Sequence, residues 1–425
     1  MSEKSLKQFY LLWSTQTLSR LGSAMTSFAL MLWLYEKTGS ALRTTLLSVC
    51  SYAPYVLMSI FAGALSDRWN KKRTMLWCDL FAAACSVLTL LLIRMQALQA
   101  WHLYLLNAVS GLMNTVQSPA SEVAVTLVTP KERYQKVSSL RSASGSMVTI
   151  VTPVVATAFY GFGGIGLVIT ADLLTFAIAF LALLLWIRIP EEASVSGEEQ
   201  NILGSARQGL IFLGENRMVL YLILFLSGVN LVASAFDAAL PAFILPHGNG
   251  GDKVLGMVVS VAGISMLAGN ILTAVLPVPK DRIRMIVYTM LFSLTADNFL
   301  MSLTDRPVFW CIAQVLGYVP VTLMNVNLDV VVRSSIPAEM QGRVYACRNS
   351  LQFFTIPLGQ LWGGWMVDEV FCPLIAEQNG NGVLVRLFGA DKSGGAALMI
   401  FVLGILGLGI CLYFHRILKP YRFEE

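Results

Sequence analysis

The chain is short of charge. Of its 425 residues only 13% are Asp, Glu, Lys or Arg, where a soluble globular domain carries roughly 25%. Too little polar surface remains to cover such a chain in water, which excludes an ordinary soluble domain. Histidine is scarcer still. The three, His102, His247 and His415, are scattered without metal or triad spacing, and His247, near an outer loop, reads as a solvated residue. No Gly-rich phosphate loop of the Walker type appears, so ATP hydrolysis within the chain is not expected. Nothing supports catalysis, and no cofactor is expected. The net charge of +5 lies in short loops rather than one patch, so no nucleic acid partner is implied. The seven cysteines fall in or beside apolar runs with no pairing or metal spacing, and read as small packing residues. The N-terminus lacks the layout of a cleaved signal peptide, and its first apolar run is long enough to be retained as a helix.

Apolar sequence is abundant: 56% of residues are hydrophobic. A membrane-spanning helix needs about 20 mostly apolar residues. About twelve such spans can be read, near residues 8–35, 41–65, 74–94, 101–128, 136–161, 165–188, 217–245, 254–278, 283–303, 307–333, 343–370 and 395–416. The longest polar stretch, 189–216, splits them six and six. The expected layout is an N-terminal bundle over 1–188, an inner linker over 189–216 and a C-terminal bundle over 217–425. With both termini inside, the inner segments hold roughly 20 of the 30 basic residues, the bias expected of cytoplasmic loops. A bacterial cell (inner) membrane and a monomer surrounded by lipid bilayer are the working expectation.

Between spans two and three stands GALSDRWNKKR, Gly63 to Arg73. Gly63 lets two helices approach closely, Asp67 ends a span where it can cap or pair, and Arg68 opens a basic cluster facing the anionic inner leaflet. Asn70 stands at the turn and tolerates a left-handed conformation. The pattern resembles the signature loop of the major facilitator superfamily, with Asn70 in place of the usual Gly. The first span, Asp79, VTPKERYQKVSSL, the ADLLTF run around Asp172, IPAEMQGRV and FGADKSGGAALM resemble, in their order along the chain, the macrolide-efflux branch of drug–proton antiporters. TIVTPVVATAFYG keeps Pro153 but lacks the Gly cluster usual in the antiporter motif of span five. The resemblance implies an all-α membrane protein of twelve transmembrane helices in two pseudo-symmetric six-helix bundles, the major facilitator fold. It further implies a small-molecule substrate exported in exchange for protons.

A shift of about 207 positions supports a duplicated half of the kind found in parallel-repeat transporters. It lays Glu122 on Asp329, Pro130 on Pro337, Glu132 on Glu339, Val137 on Val344 and Arg141 on Arg348. A charge at the centre of a span costs about 2.5–3.5 kcal/mol on insertion scales. Glu122 and Arg141 each lie about 10 Å from the inner end of their spans, and Asp329 and Arg348 repeat the arrangement. These four, with Asp67, are expected to form either a charge network that breaks and re-forms during transport or a static pair of salt bridges.

Arg20 lies about 18 Å into the first span, with Gln16 one turn below on the same face. In the resembled fold that span lines the cavity, so Arg20 is expected to meet water, substrate or a carboxylate. Of three outer-half acids, Asp237 on span seven is the first candidate for a proton or a cationic substrate. Asp172, Asp297 and Asp79 read more readily as helix-to-helix contacts. The spans expected to line the cavity carry Trp13, Phe28, Trp33, Asn114, Gln117, Asn230, Phe236, Tyr318, Asn325 and Asn327, a mixture suited to large amphipathic molecules. Pro54, Pro153, Pro320 and Pro357 can kink spans. The function expected is secondary export of amphipathic, macrolide-type compounds by proton antiport and alternating access. Its rivals are export of an endogenous metabolite such as a siderophore or lysophospholipid, and a non-transporting membrane sensor or scaffold.

Overall fold

A computed structural model describes residues 3–129, 134–189, 202–337, 340–378 and 382–421. Among these the secondary structure is helical, and the chain divides into two compact units. The first comprises residues 1–38 and 46–196, the second residues 39–45 and 197–425.

The first unit is built from α1 (Glu3–Thr38), most of α2 (Ala41–Arg68), α3 (Lys71–Arg94), α4 (Ala100–Val128) and α5 (Tyr134–Leu185). α1 packs on α5 and α4, and α3 packs on α4 and α5. Two apolar clusters hold them together. One joins Phe9, Leu12, Met75, Ala124, Val137 and Leu183; the other joins Met25, Leu34, Leu103, Ala156 and Ile169. α5 is one element in hydrogen bonding but two in geometry. Gly163 (φ −142°, ψ 16°) and Gly164 (φ 64°, ψ −171°) break the helix, the second in a conformation that glycine adopts without a Cβ penalty. The break falls between the fifth and sixth expected spans.

The turn before α3 differs from expectation. Asn70 is extended (φ −61°, ψ 117°), not left-handed, and its side chain accepts the backbone N–H of Arg73 at 2.9 Å. It is an N-cap, which satisfies a donor that the first helical turn leaves free. Lys72 reaches back to the end of α5, donating to the carbonyls of Leu184 and Ile187 at 3.1 and 2.8 Å. A lysine suits the carbonyl-rich end of a helix.

The second unit contains α6 (Ile202–Glu215), α7 (Arg217–Ile244), α8 (Asp252–Val275), α9 (Arg282–Ser302), α10 (Pro307–Ser335), α11 (Gln341–Phe353), α12 (Thr355–Trp365), α13 (Cys372–Ala376), α14 (Val383–Phe388) and α15 (Lys392–Leu418). α6 lies in the segment expected to be a linker, yet it packs on α7 and α11. The eleventh span is not one helix. α11 stops at Phe353, α12 follows, and a π-helical turn over Met366–Phe371 leads into α13. Pro357 sits in the first turn of α12 and has no N–H to continue the ladder from α11.

Seven of the described helices are long and apolar enough to cross a membrane, including Ala143–Leu185, whose 43 residues suffice for two crossings. α1 and α4 are long enough but carry the polar stripes that build the site below.

Candidate substrate and coupling site

On α1, Gln16, Ser19, Arg20, Ser23 and Ser27 recur at intervals of three and four residues and so share one face. On α4, Asn107, Ser110, Asn114, Gln117 and Ser121 do the same. These stripes face a cavity of about 450 Å³ inside the first unit, completed by Asp79, Ser86 and Thr89 from α3, Ser51 from α2, and Asp172 and Phe176 from α5. The volume lies in the range of small-molecule sites, but the lining is richer in hydroxyls and amides than most. Trp13, Phe28 and Trp33 do not supply the wall. They pack against the two apolar clusters.

The two cavity acids are held differently. Asp172 is 4% exposed and accepts three hydroxyls: Ser23 and Thr26 from α1, each at 3.1 Å, and Ser86 from α3 at 3.3 Å. Gly22 makes this possible, since a Cβ there would meet Thr175 Oγ1 at 2.2 Å. Asp79 is 9% exposed. Its Oδ1 accepts Gln117 Nε2 at 2.6 Å. Gln16 from α1 is a second side-chain hydrogen-bonding neighbour of the same carboxylate. Asp172 is therefore a helix-to-helix contact, as its sequence position suggested. Asp79 is one too, tying α3 to α4 and α1 at the cavity wall.

Arg20 lines the cavity with an exposed side chain. Its electrostatic neighbours are Arg141 and Glu122. Both guanidinium Nη atoms of Arg141 donate to the Glu122 carboxylate, so the expected pair is formed, bidentate.

The counterpart pair in the second unit is not joined. Asp329 is exposed. Arg348 donates through Nε to Gln352 Oε1 at 3.1 Å and lies 5.6 Å from the centre of the Tyr345 ring, with Asp329 an electrostatic neighbour only. Asn230 donates to the Gln352 carbonyl at 3.2 Å, and Asn325 is exposed. Asn327, expected at a cavity, is buried and accepts Arg282 Nη1 at 3.0 Å. Asp237 is exposed on α7, and Asp297 and Tyr318 are its electrostatic neighbours. Asp297 is buried against Gly317, with Gln314 donating to it at 3.4 Å. His247 is not a freely solvated residue. It stacks edge-on with Trp310 at 4.9 Å and sits 3.6 Å from Asp305.

The surroundings of Gly63, the side chains of Asp67 and Arg68, and all of Pro130, Glu132 and Glu339 lie outside the described residues. One acid went unread in the sequence. Asp368 accepts the Ser40 hydroxyl at 2.6 Å and the backbone N–H groups of Ala41 and Leu42 at 3.0 and 2.9 Å, capping the start of α2. The hydroxyl stripes of α1 and α4 were also missed, although their helical spacing marks them.

Long apolar helices around a polar, charge-lined cavity fit a multi-pass membrane transporter for small molecules. The chain belongs to the Major Facilitator Superfamily, whose family profile matches residues 12–360. It is similar to macrolide efflux protein A of Streptococcus pyogenes, 25% identical over 85% of this chain and 90% of that protein. Macrolide efflux protein A of Enterococcus faecalis is also 25% identical, over 76% of this chain and 99% of its own length. Among solved structures, a bacterial homologue of the human lysosomal transporter Spinster, inward-facing and unoccupied, matches with a TM-score of 0.73 at 15% identity, covering 100% of this chain and 99% of that one. The nucleoside transporter NupG gives 0.67 at 12% identity, over 99% of this chain and 100% of that one. These similarities agree with the resemblance read from the signature loop and with the major facilitator fold.

Proposed function

We propose that the protein is a proton-driven exporter of amphipathic organic compounds of the macrolide type, working by alternating access and contributing to drug resistance. The observation that carries this reading is the first-unit cavity, where an open Arg20 shares a polar chamber with two buried acids, Asp79 and Asp172. Such acids serve as proton carriers in membrane pumps and transporters. The relatives named as macrolide efflux proteins supply the substrate class. Glu122, Arg141, Asp329 and Arg348, with Gly63, Asp67 and Arg68 of the signature loop, are the proposed gating network. Arg20, Gln16, Asp237, Asn230 and Asn325 are the proposed proton or substrate contacts, with Asp237 assigned to substrate. The protein is proposed to act as a monomer in the bacterial inner membrane with both termini cytoplasmic.

A second reading has one observation in its favour. The hydroxyl and amide lining suits a polar endogenous metabolite such as a siderophore. Proteoliposomes with an imposed pH gradient, offered a panel of macrolides, other amphiphiles and siderophores, separate the two. Gradient-dependent macrolide flux is expected. Flux of siderophores alone would favour the second reading, and flux of none of the panel would remove proton-driven export.

A further inference from the structure

Arg20 carries a planar fork of N–H donors and keeps its charge at any physiological pH. It lines the first-unit cavity and makes no hydrogen bond among the described residues. Ser19 on α1 and Asn114 and Ser118 on α4 line the same cavity and likewise donate to no acceptor among the described residues. A charge deep in a span is costly and needs a reason. Pairing within the protein does not supply one. The electrostatic neighbours of Arg20 are Arg141 and Glu122, and Glu122 is already held by both Nη atoms of Arg141. Two guanidinium groups thus share one carboxylate, which leaves one positive charge over.

The acids of the cavity are occupied elsewhere. Asp172 accepts three hydroxyls. Asp79 accepts Gln117 and has Gln16 as its second hydrogen-bonding neighbour. Neither acid is an electrostatic neighbour of Arg20. The chamber therefore has engaged acceptors and open donors. What it lacks is an acceptor that brings negative charge.

We infer that Arg20, with Ser19, Asn114 and Ser118, binds an oxyanion on the transported compound: a carboxylate, phosphate or sulfonate. The inference rests on the export reading of this cavity and names one chemical group of its cargo. A guanidinium matches two oxygens of such a group in one plane and holds them by paired N–H donors. The hydroxyls and the amide supply further donors for the remaining lone pairs. Phe176 offers an aromatic wall in the same cavity for an apolar body. A macrolide meets the same donors through uncharged lactone and hydroxyl oxygens, and an oxyanion adds charge to that contact. Binding forms no covalent bond and moves no electron.

The test uses the full chain in lipid nanodiscs. Three water-soluble anions with one apolar body, 2-naphthoate, 2-naphthyl phosphate and 2-naphthalenesulfonate, are compared with uncharged 2-naphthamide. Affinities are read by titration calorimetry, with empty nanodiscs subtracted for partition into lipid. The wild type is expected to bind at least one anion about ten- to a hundredfold more tightly than the amide. That preference should shrink as salt rises. Arg20→Gln keeps a polar side chain without the charge, and is expected to bring the anion down to the affinity of the amide. Arg20→Lys keeps the charge without the fork, and is expected to retain part of the preference. A wild type that prefers none of the three anions would overturn the inference. So would an undiminished preference in a monodisperse Arg20→Gln protein. Neither result touches export, which gradient-dependent macrolide flux in proteoliposomes decides separately. An anion preference in a protein without such flux would keep the anion site and remove proton-driven macrolide export.

Discussion

Each unit carries an acid and an arginine, Glu122 with Arg141 and Asp329 with Arg348, 207 positions apart in the sequence, and uses them differently. In the first, Arg141 grips Glu122 with both Nη atoms. In the second, Arg348 turns to Gln352 and Tyr345 and leaves Asp329 exposed. The cause is local. Four residues after Arg141 stands Gly145, which offers no side chain; four residues after Arg348 stands Gln352, whose carbonyl oxygen is one helical turn away. An arginine takes the acceptor its own helix provides when one is present and crosses to the neighbouring helix when none is. Like charges at the same spacing in the two units therefore do not guarantee like pairs.

That contrast can be broken most severely at the closed pair. Glu122→Gln removes one partner of a charge-assisted bidentate pair beside Arg20, and substrate flux in proteoliposomes is expected to fall by about tenfold or more. Asp329→Asn is expected to stay within about threefold, because Asp329 accepts no hydrogen bond among the described residues. Equal losses would mean that the pairs act alike. Next in size is a comparison of buried acids. Asp172→Asn disturbs three hydroxyl donors and should cost about 1–3 kcal/mol in unfolding measured in nanodiscs. Asp297→Asn, with a single 3.4 Å contact from Gln314, should cost less.

At the hairpins that lead into α3 and α9 the units are expected to agree. Asn70 caps α3, and Asp281 caps α9 by accepting the Arg284 N–H at 3.1 Å. Asn70→Ala and Asp281→Ala should each cost about 1 kcal/mol in thermal unfolding. An unchanged melting temperature in either would remove the cap from the account. The smallest effect sharpens the contrast itself. Gln352→Ala takes away the local acceptor of Arg348. A double-mutant cycle between Asp329 and Arg348 should then rise from near zero to about 0.5–1 kcal/mol.

Much of this was legible in the sequence, because bilayers impose a simple rule on helix length and polarity. The apolar runs, the signature loop and the Glu122–Arg141 pair were readable, as was the helix-to-helix role of Asp172. Three things were not. The facing of a polar residue depends on helix rotation, so the sequence marks Asp79 as a helix-to-helix contact, which it is, but not as part of the cavity wall. The aromatics Trp13, Phe28 and Trp33 are on the right helix but the wrong side of it. α6 looked like linker because its neighbours in sequence are polar, while its stability comes from packing on α7 and α11.

The central claim is that proton coupling is seated in the first-unit cavity. The most direct test is the pH-gradient response of macrolide flux in proteoliposomes, compared between Asp79→Asn and Asp237→Asn. The account predicts that Asp79→Asn makes the flux independent of the gradient, while Asp237→Asn keeps a clear gradient response. A gradient response that survives in Asp79→Asn and vanishes in Asp237→Asn would contradict it and move the coupling site to the second unit.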